Sequence, residues 1–428
     1  NSPDDRAALE ARGWELIDLV AVNLYPFEAV TSQADTTLEQ NVEQIDIGGV
    51  TLLRAAAKNF ARVTALSDPA DYLAALDPPD PERFRLRMAQ KAFARTAAYD
   101  AAIESYFDQL TGRTPILRLR AYPAVELRYG ENPHQSGIYY SFTPGGGPLG
   151  GELIQGRPIS YNNMLDCDSG WRAVHQFTDP SAVVVKHASP CGIASAPTSE
   201  EAVRLAIASD SVSAFGCVIA HNRPVGLGFA QALDELFVEC LVAPDFDINA
   251  RRHLEMRPNL RLLRNPSTES SSTDEFRSVL GGLLRQSVDH GDPSGAQAWR
   301  TVTQRLPTER EMSDLQFAWR ACESVRSNAV VLARSEGDAR LTVGIGGGQP
   351  NRIDSVHLAG RRAAARATGS VLASDAFFPF PDGVEAAAAL GVTAIVQPGG
   401  SRRDQAVIEA ADAAGLAMVF TGVRHFRH

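Results

Sequence analysis

The sequence is poor in cysteine, and its cysteines are widely spaced. Five occur in 428 residues, and no two of them form a C-x-x-C pair. Disulfide scaffolds and structural zinc sites both depend on closely spaced cysteines, so this pattern argues against either. We therefore expect reduced thiols and a cytoplasmic protein.

Long apolar runs and a surplus of positive charge are also missing. No stretch approaches the roughly 20 apolar residues needed to cross a bilayer, and no signal-peptide pattern is present. The formal net charge is -10, whereas nucleic acids and anionic membranes attract broad basic surfaces. We expect neither partner. Anionic small molecules remain candidates where arginine or lysine residues cluster.

Lysine is the scarcest charged residue. Of 41 basic residues, only Lys58, Lys91 and Lys186 are lysines. A codon bias toward arginine accounts for the depletion itself. Arginine stays protonated, whereas lysine can titrate and carries a compact charge, so the three remaining lysines are candidate functional residues.

Strand-length apolar runs alternate with helical patterns along most of the chain, which predicts an α/β fold with largely parallel or mixed sheets. Capping boxes are predicted at Thr198 with Glu201 and at Thr308 with Glu311. Strands are predicted at 16–22, 182–185, 217–220, 329–332, 393–396 and 417–420. Helices are predicted at 52–60, 81–110, 200–208, 309–325 and 405–414.

Two domains are expected, over residues 1–121 and 122–428. The boundary follows the long helical pattern that ends near residue 110. A second boundary, inside the larger domain, is expected near 291–295. The sequence opens at Asn1 without an initiator methionine, and we expect it to lack the N-terminal part of the first domain.

A valine-rich run, AVVVKHASPCG at 182–192, carries the strongest chemical signal. Such a strand is buried on both faces, and it ends in Lys186 and His187. Ligands of open α/β sheets bind at the carboxyl ends of strands. If both side chains serve one site, the strand must break at Lys186 or His187, which the turn expected at Pro190–Gly192, before a capped helix, permits. A solvated strand end is the alternative.

A zinc-dependent deaminase is the competing enzyme class. It requires H-x-E and P-C-x-x-C ligand motifs, whereas His187 and Cys191 here lack the other ligands. No catalytic metal is therefore expected. A non-catalytic nucleotide-binding protein is the second alternative, which the pairing of Lys186 with His187 disfavours.

Seven segments occur in an order that resembles the transformylase domain of the aminoimidazole carboxamide ribonucleotide (AICAR) transformylase/IMP cyclohydrolase family. The resemblance runs from about residue 122 to the C-terminus and implies two cytidine-deaminase-like α/β subdomains without zinc. The segments are LRYGENPHQ (127–135), ISYNN (159–163), VVVKH (183–187), SAFG (213–216), SNAV (327–330), VGIGGGQ (343–349) and ASDAFFPF (373–380).

The resemblance implies transfer of a formyl group from 10-formyltetrahydrofolate to the 5-amine of AICAR, giving FAICAR. His187 would act as the base, Lys186 would stabilise negative charge, and Asn328 would be the third catalytic residue. Nucleotide contacts are implied for Arg128, Tyr129, Glu239, Phe377 and Arg424. Folate contacts are implied for Ser213, Phe215, Gly216, Arg352, Ile353 and Asp382. The glycines of 344–348 are expected to let a ligand approach the backbone.

The first 121 residues resemble the other half of the same family, the IMP cyclohydrolase domain of methylglyoxal-synthase-like fold. The matching segments are VNLYPF (22–27) and QIDIGGVTLLRAAAKN (44–59), with Phe60 where the family commonly has histidine. The resemblance implies acid/base roles for Tyr25, Asp46 and Lys58, and nucleotide contacts for Asn23, Gly48 and Gly49. With its N-terminal part missing, this domain is expected to close the ring of FAICAR to IMP poorly.

Further expectations rest on the family alone. The resemblance implies a homodimer with shared active sites, AICAR, FAICAR or IMP and reduced folate as ligands, and a structural monovalent cation as a candidate. Lys91 lies on the long helix outside every motif and is expected to be structural.

Overall fold

The computed structural model describes residues 3–267 and 273–428. The chain divides into two compact units, Asn1–Leu119 (unit 1) and Arg120–His428 (unit 2). Both units mix helices and strands, so the predicted α/β class is confirmed. Across the described part of the chain, every helix is too short or too polar to cross a membrane.

Unit 1 packs helices on a two-stranded parallel sheet. Its core joins Phe27, Leu53 and Ala57 to Ala92 and Tyr99 of the longest helix. That helix begins at Pro81, whose fixed φ suits a first turn. The preceding residue, Asp80, caps it, because its side chain accepts a hydrogen bond from Arg83 N. The strands are β1 (Leu19–Ala21) and β2 (Thr64–Leu66), and the helices are α1 (Pro3–Glu10), α2 (Phe27–Thr31), α3 (Leu38–Glu43), α4 (Gly48–Lys58), α5 (Tyr72–Leu76) and α6 (Pro81–Leu110).

Unit 2 is built on one large mixed sheet and two separate hairpins. The hairpins are β3 (Tyr122–Leu127) with β4 (Gly137–Ser141), and β11 (Asp274–Val279) with β12 (Gly282–Ser287). The sheet strands are β5 (Glu152–Gln155), β6 (Ser181–Lys186), β7 (Ser189–Ser195), β8 (Cys217–His221), β9 (Val238–Ala243), β10 (Arg261–Arg264), β13 (Arg300–Thr301), β14 (Val330–Glu336), β15 (Ala339–Gly346), β16 (Val371–Ser374), β17 (Ala394–Gln397) and β18 (Ala417–Phe420).

Helices cover both faces of this sheet. They are α7 (Tyr161–Val174), α8 (Ser199–Ser209), α9 (Leu227–Gln231), α10 (Ile248–Leu254), α11 (Glu309–Glu323), α12 (Arg352–Ala363), α13 (Asp382–Ala389) and α14 (Asp404–Ala413). Side chains alternate along β6, so Val184 packs with α8 and α12 on one face while Val183 and Val185 pack with α7 and α11 on the other. Both faces of β6 are buried, as the valine run predicts.

The sheet contains a structural repeat. Its strand order is β13-β18-β17-β16-β14-β15-β7-β6-β8-β9-β10-β5. Each half consists of an antiparallel hairpin, a third strand antiparallel to it, two parallel neighbours and a final antiparallel strand. The halves meet where β7 and β15 pair antiparallel.

These pairings also determine which loops lie together. Ten strands meet at one edge of the sheet, where five of them end and five begin. Those that end there are β6, β15, β16, β17 and β18, and those that begin there are β7, β8, β9, β10 and β14. We call this the catalytic edge. The loops at this edge come from both halves of the repeat.

Two local predictions were wrong. Residues 190–192 belong to strand β7, and the turn is made by His187 and Ala188 instead. Pro190 is tolerated because it lies beside the irregular pairing at Val184 and Val185, where a backbone donor is dispensable. The predicted capping box at Thr198 is only half formed, since Thr198 accepts from Glu201 N without the return bond that Thr308 receives.

Two of the glycines at 344–348 have a packing role. A Cβ added at Gly344 would overlap Ala359 O, and one at Gly346 would overlap Ser355 O. Both oxygens belong to α12. Gly344 and Gly346 therefore let a helix pack on β15, while the expected approach of a ligand to the 344–348 backbone stays a prediction.

Candidate active site

The turn between β6 and β7 carries the two catalytic candidates. Lys186 is the last residue of β6, and His187 and Ala188 form the turn with φ of 54° and 55°. This left-handed pair gives a tight two-residue connection that matches strand twist. The turn exposes the imidazole while Lys186 is half-buried.

The Lys186 ammonium is held by the segment that precedes β8. Its Nζ donates to Phe215 O and Gly216 O, both at 2.8 Å. Gly216 has φ of +68°, and a Cβ there would lie 3.1 Å from the ammonium nitrogen. Two carbonyl acceptors leave the third ammonium proton for a ligand. The structure thus joins a catalytic candidate to two residues expected to bind folate.

Asn328 lies before β14 in a second polar group on the same edge. Its Oδ1 accepts from Arg352 Nη2 at 2.7 Å, and its Nδ2 donates to Gln349 O at 2.9 Å. Arg352 is buried and also pairs with Asp375. Ser355 Oγ donates to Asn328 O at 2.8 Å. The amide is therefore held in one orientation.

The sequence interpretation missed Asp375 and Gln349, although both lie inside the matched motifs. Asp375 O accepts from His425 N at 3.1 Å, and its carboxylate accepts from Ser327 Oγ at 2.5 Å. The C-terminal residues are thereby fastened beside Asn328. The available signal in the sequence was an aspartate that closely follows the apolar run at 371–373.

The two groups do not touch each other within one chain. Lys186 and Asn328 are separated by β7 and β15, and three strand spacings amount to roughly 14 Å. A site that uses both groups must therefore contain a ligand, or a pair of ligands, that spans this gap.

The remaining expected ligand contacts are distributed around the catalytic edge. Phe215 is 66% exposed and lies 5.5 Å from the Phe237 ring, whereas Phe377 is 37% exposed. Glu239 pairs with the buried Arg261 at 2.8 Å. Ser213 is bonded to Asp210, the exposed Asp382 begins α13, and the half-buried Ile353 follows Arg352 in α12.

Two exposed arginines stack on neighbouring aromatic rings. The Arg128 guanidinium lies 5.4 Å from the Tyr129 ring centroid, and that of Arg424 lies 4.3 Å from the Phe426 centroid. Asn162, near the start of α7, donates to Glu131 O at 3.2 Å, which ties the Arg128 segment to that helix. Both arginines remain available to an anionic ligand.

In unit 1 the expected residues surround α4. Asp46 precedes the helix and accepts from Gly49 N at 2.6 Å, while its own N–H donates to Tyr99 OH at 2.9 Å. Lys58 is the last residue of the same helix, so the two lie at opposite ends of it. Tyr25 is 53% exposed.

Other unit 1 candidates lie near these ends. Asn23 accepts from Tyr72 OH at 3.2 Å, and Gly48 is exposed at the start of α4. Position 49 requires a glycine, since an added Cβ would lie only 2.8 Å from both Asp46 Oδ1 and Val22 Cγ1. Lys91 pairs with Asp68 and Asp71 at 2.8 and 2.6 Å, as a structural lysine would.

A histidine and three carboxylates hold the C-terminal segment. His425 is buried, and its Nδ1 and Nε2 lie 2.7 and 3.0 Å from Asp289 and Asp292. Glu323 is 3.6 Å from Nε2. Burial disfavours the imidazolium, but these hydrogen bonds outweigh burial and raise the pKa of His425 to about 10. Since both ring nitrogens of His425 are already bonded to carboxylates, we assign no metal here.

These features define a class of protein. An imidazole, an ammonium, an oriented amide and two free guanidinium groups belong to one sheet edge, and together they suit an enzyme that transfers a group to an anionic substrate. Comparison with known proteins then identifies the family.

The family model of the AICARFT/IMPCHase bienzyme matches residues 56–362. A bifunctional purine biosynthesis protein PurH of Xanthomonas euvesicatoria is 46% identical over 99% of this chain and 84% of its own length. A Cyanothece protein of the same name is 46% identical over 100% of this chain and 84% of its own. A solved structure titled "Crystal structure of ForH" covers 25% of this chain and 58% of that chain, at 33% identity and a TM-score of 0.21.

The chain belongs to the AICARFT/IMPCHase bienzyme family. It is an enzyme of purine biosynthesis that combines AICAR formyltransferase and IMP cyclohydrolase activities. The resemblance noted in the sequence motifs is thereby confirmed.

Proposed function

We propose that Lys186, His187 and Asn328 of unit 2 carry out formyl transfer from 10-formyltetrahydrofolate. The 5-amine of AICAR attacks the formyl carbon, and its proton passes to His187. The resulting oxyanion is stabilised by Lys186, an effect worth on the order of 2–4 kcal/mol in a dry site. Cleavage of the bond from the formyl carbon to folate N10 releases FAICAR, and the imidazolium returns the proton to N10. Asn328 hydrogen-bonds the reacting groups.

The observation that carries this proposal is the environment of Lys186. Its ammonium is anchored by Phe215 O and Gly216 O at 2.8 Å, beside the imidazole of the same turn. Two donors are used for anchoring, so the remaining proton has a defined direction. A cation beside a base is the pair that acyl transfer to a weak amine requires.

Binding is assigned to the surrounding residues. AICAR is held by Arg128 and Arg424, whose planar forks suit phosphate and carboxamide oxygens, together with Tyr129, Glu239 and Phe377. The folate lies against Ser213, Phe215, Gly216, Ile353 and Asp382. Arg352 acts through Asn328, because its Nη2 donates to that amide at 2.7 Å.

Ring closure is assigned to unit 1. Tyr25, Asp46 and Lys58 are its acid/base residues, and Asn23, Gly48 and Gly49 contact the nucleotide. The N-terminal N–H groups of α4 are available to hold the base. Cyclisation joins two groups of one molecule, so orientation supplies much of the rate.

The finer description of the fold and surroundings is also a proposal. Unit 1 is assigned a methylglyoxal-synthase-like fold, and the two halves of the unit 2 sheet are assigned as cytidine-deaminase-like subdomains, joined in the region of residues 291–295. The matching strand order of the halves supports the second assignment. We propose a cytoplasmic homodimer that uses no catalytic metal, nucleic acid or membrane. A structural monovalent cation has no assigned ligands.

An assay with 10-formyltetrahydrofolate and AICAR tests the catalytic assignment. We expect His187→Ala to lose at least about 100-fold in formyl transfer while it keeps AICAR binding in calorimetry, because only the proton transfer is removed. His357→Ala, an exposed histidine on α12, is the matched control. Turnover of His187→Ala near the parent rate would contradict the assignment.

A mixing experiment tests the shared site. Lys186→Ala and Arg128→Ala are each expected to be inactive, and their mixture should regain part of the activity if both subunits contribute to one site. A fully active monomer in sedimentation at the assay concentration would exclude this arrangement.

A further inference from the structure

The turn that presents His187 has an unfavourable backbone conformation. His187 and Ala188 both have positive φ, 54° and 55°, although neither is glycine. Left-handed backbone is unfavourable for residues other than glycine. Two such residues in a row must be held by their surroundings.

Helix α7 supplies the contacts that hold this turn. Asp166 Oδ1 accepts from Ala188 N at 2.5 Å, and Ser169 Oγ donates to Ala188 O at 3.1 Å. The backbone N–H and C=O of Ala188 are thus both bonded to side chains of a single helix. Neither residue was singled out by the sequence analysis.

A glycine brings α7 close enough to make these contacts. A Cβ added at Gly170 would lie 3.0 Å from Ala220 Cβ and 3.1 Å from Val185 Cγ2. The helix therefore rests directly on β6 and β8. This contact is one turn from Asp166 and adjacent to Ser169, so it sets how far both side chains reach toward Ala188.

Asp166 also has an electrostatic relation to the turn. Burial raises the pKa of Asp166, while Ala188 N–H, His187 and Lys186 oppose that rise. The Cys217 thiol of β8 stays neutral, since burial raises its pKa to about 12. The titratable groups that interact with Asp166 are Cys167 of the same helix, Lys186 and His187 at the turn, and Cys217 of β8.

We propose that Asp166 is a positioning residue for His187, which fixes the turn through Ala188 and uses its carboxylate charge to favour the protonated imidazole during formyl transfer. The inference rests on the proposed role of His187. Ser169 supports the geometry of the turn but contributes no charge.

Two substitutions of Asp166 separate charge from geometry. Asp166→Asn keeps an oxygen acceptor for Ala188 N and removes the charge. We expect kcat for formyl transfer to fall at least about tenfold, with KM for AICAR changed less than about threefold. The acidic limb of the pH–rate profile should move to lower pH, because a neutral neighbour no longer favours the imidazolium. Asp166→Ala should lose more activity and also lower the thermal midpoint.

The matched control is Asp168→Asn, which removes a carboxylate of the same helix that bonds Arg172 and does not contact the turn. We expect its kcat and its pH–rate profile to match the parent enzyme. Ser169→Ala should reduce kcat without moving the profile.

The outcomes distinguish this inference from the function it rests on. Full activity in His187→Ala would overturn the role of His187 itself. An inactive His187→Ala together with parental kcat and an unshifted profile in Asp166→Asn would overturn only the inference. Equal losses in Asp166→Asn and Asp166→Ala, with an unshifted profile in both, would also overturn it, because they would indicate a structural role alone.

Discussion

At the scale of single residues, Lys186 explains why lysine persists in a sequence that otherwise uses arginine. Its ammonium is a point charge that fits between two carbonyl oxygens at 2.8 Å. A guanidinium is planar and wider and carries its donors in a rigid fork, so it does not reproduce this compact geometry. The functional role that lysine scarcity suggests for Lys186 stays a prediction, whereas Lys91 pairs with Asp68 and Asp71 in unit 1.

We predict that Lys186→Arg lowers formyl transfer at least about tenfold, which corresponds to roughly 1.4 kcal/mol in the barrier. The charge is retained and only its shape changes. Steady-state turnover of the purified variant measures the effect. Lys91→Arg is the control, because its ion pairs in unit 1 tolerate either cation. Parental turnover in Lys186→Arg would mean that any cation suffices.

Gly216 offers a second test at this scale. We predict that Gly216→Ala reduces formyl transfer strongly, because its new Cβ would lie 3.1 Å from Lys186 Nζ. Gly337→Ala is a matched control, since Gly337 has φ of +59° and open space around it. Both variants should lose roughly 1–2 kcal/mol of stability to left-handed strain. Equal activity in the two variants would count against a role for the Gly216 contact.

At the scale of elements, the packing of α12 on β15 connects the fold to the catalytic edge. Gly344 and Gly346 allow the helix to touch the strand, and the first turn of that helix presents Arg352 to Asn328. A run of glycines indicates close approach of something to the backbone. Only the tertiary contact identifies that partner as a helix.

We predict that Gly346→Ala destabilises unit 2 by about 1–3 kcal/mol, because overpacking forces α12 away from β15. Formyl transfer should fall with it, as Arg352 shifts from Asn328. Thermal unfolding and turnover measure the two effects. Gly282→Ala is the control, since its Cβ would meet only Val279 at 3.9 Å. An unchanged thermal midpoint in Gly346→Ala would refute this account of the packing.

At the scale of the whole molecule, the last residues of the chain are fastened to distant parts of unit 2. His425 bonds Asp289 and Asp292, Asp375 O accepts its N–H, and Ser327 N donates to Arg427 O at 2.9 Å. Burial raises the pKa of Glu323 to about 7, despite the nearby imidazolium. This cluster holds the segment that presents Arg424.

We predict a pH-dependent contribution of His425 to the stability of unit 2. The pKa of His425 is raised from 6.5 to about 10 in the folded state. Its stabilisation is therefore complete below about pH 6.5 and is lost as pH rises through 10. The difference in free energy of unfolding between the parent and His425→Asn should shrink over that interval. His357→Asn should show no such trend, and a constant difference for His425→Asn would contradict the prediction.

The sequence by itself determined the local elements and the family. Alternating hydrophobicity and capping residues are local signals, so α11 and β6 lie close to their predicted bounds. Ordered motifs likewise identified the bienzyme family, since each motif is a short stretch of contiguous residues. The turn at His187 was misassigned because proline and glycine usually mark turns. In this case the left-handed turn depends on Asp166 and Ser169, which are distant in sequence.

Only the tertiary structure decided which candidates meet. Lys186 reaches Phe215, and Asn328 reaches Arg352, through strand pairings between segments far apart in the chain. The antiparallel junction of β7 and β15 brings loops from both halves to one edge, with roughly 14 Å between the two polar groups. Strand order and direction arise from long-range hydrogen bonding and burial, and periodicity in a single segment carries no information about either.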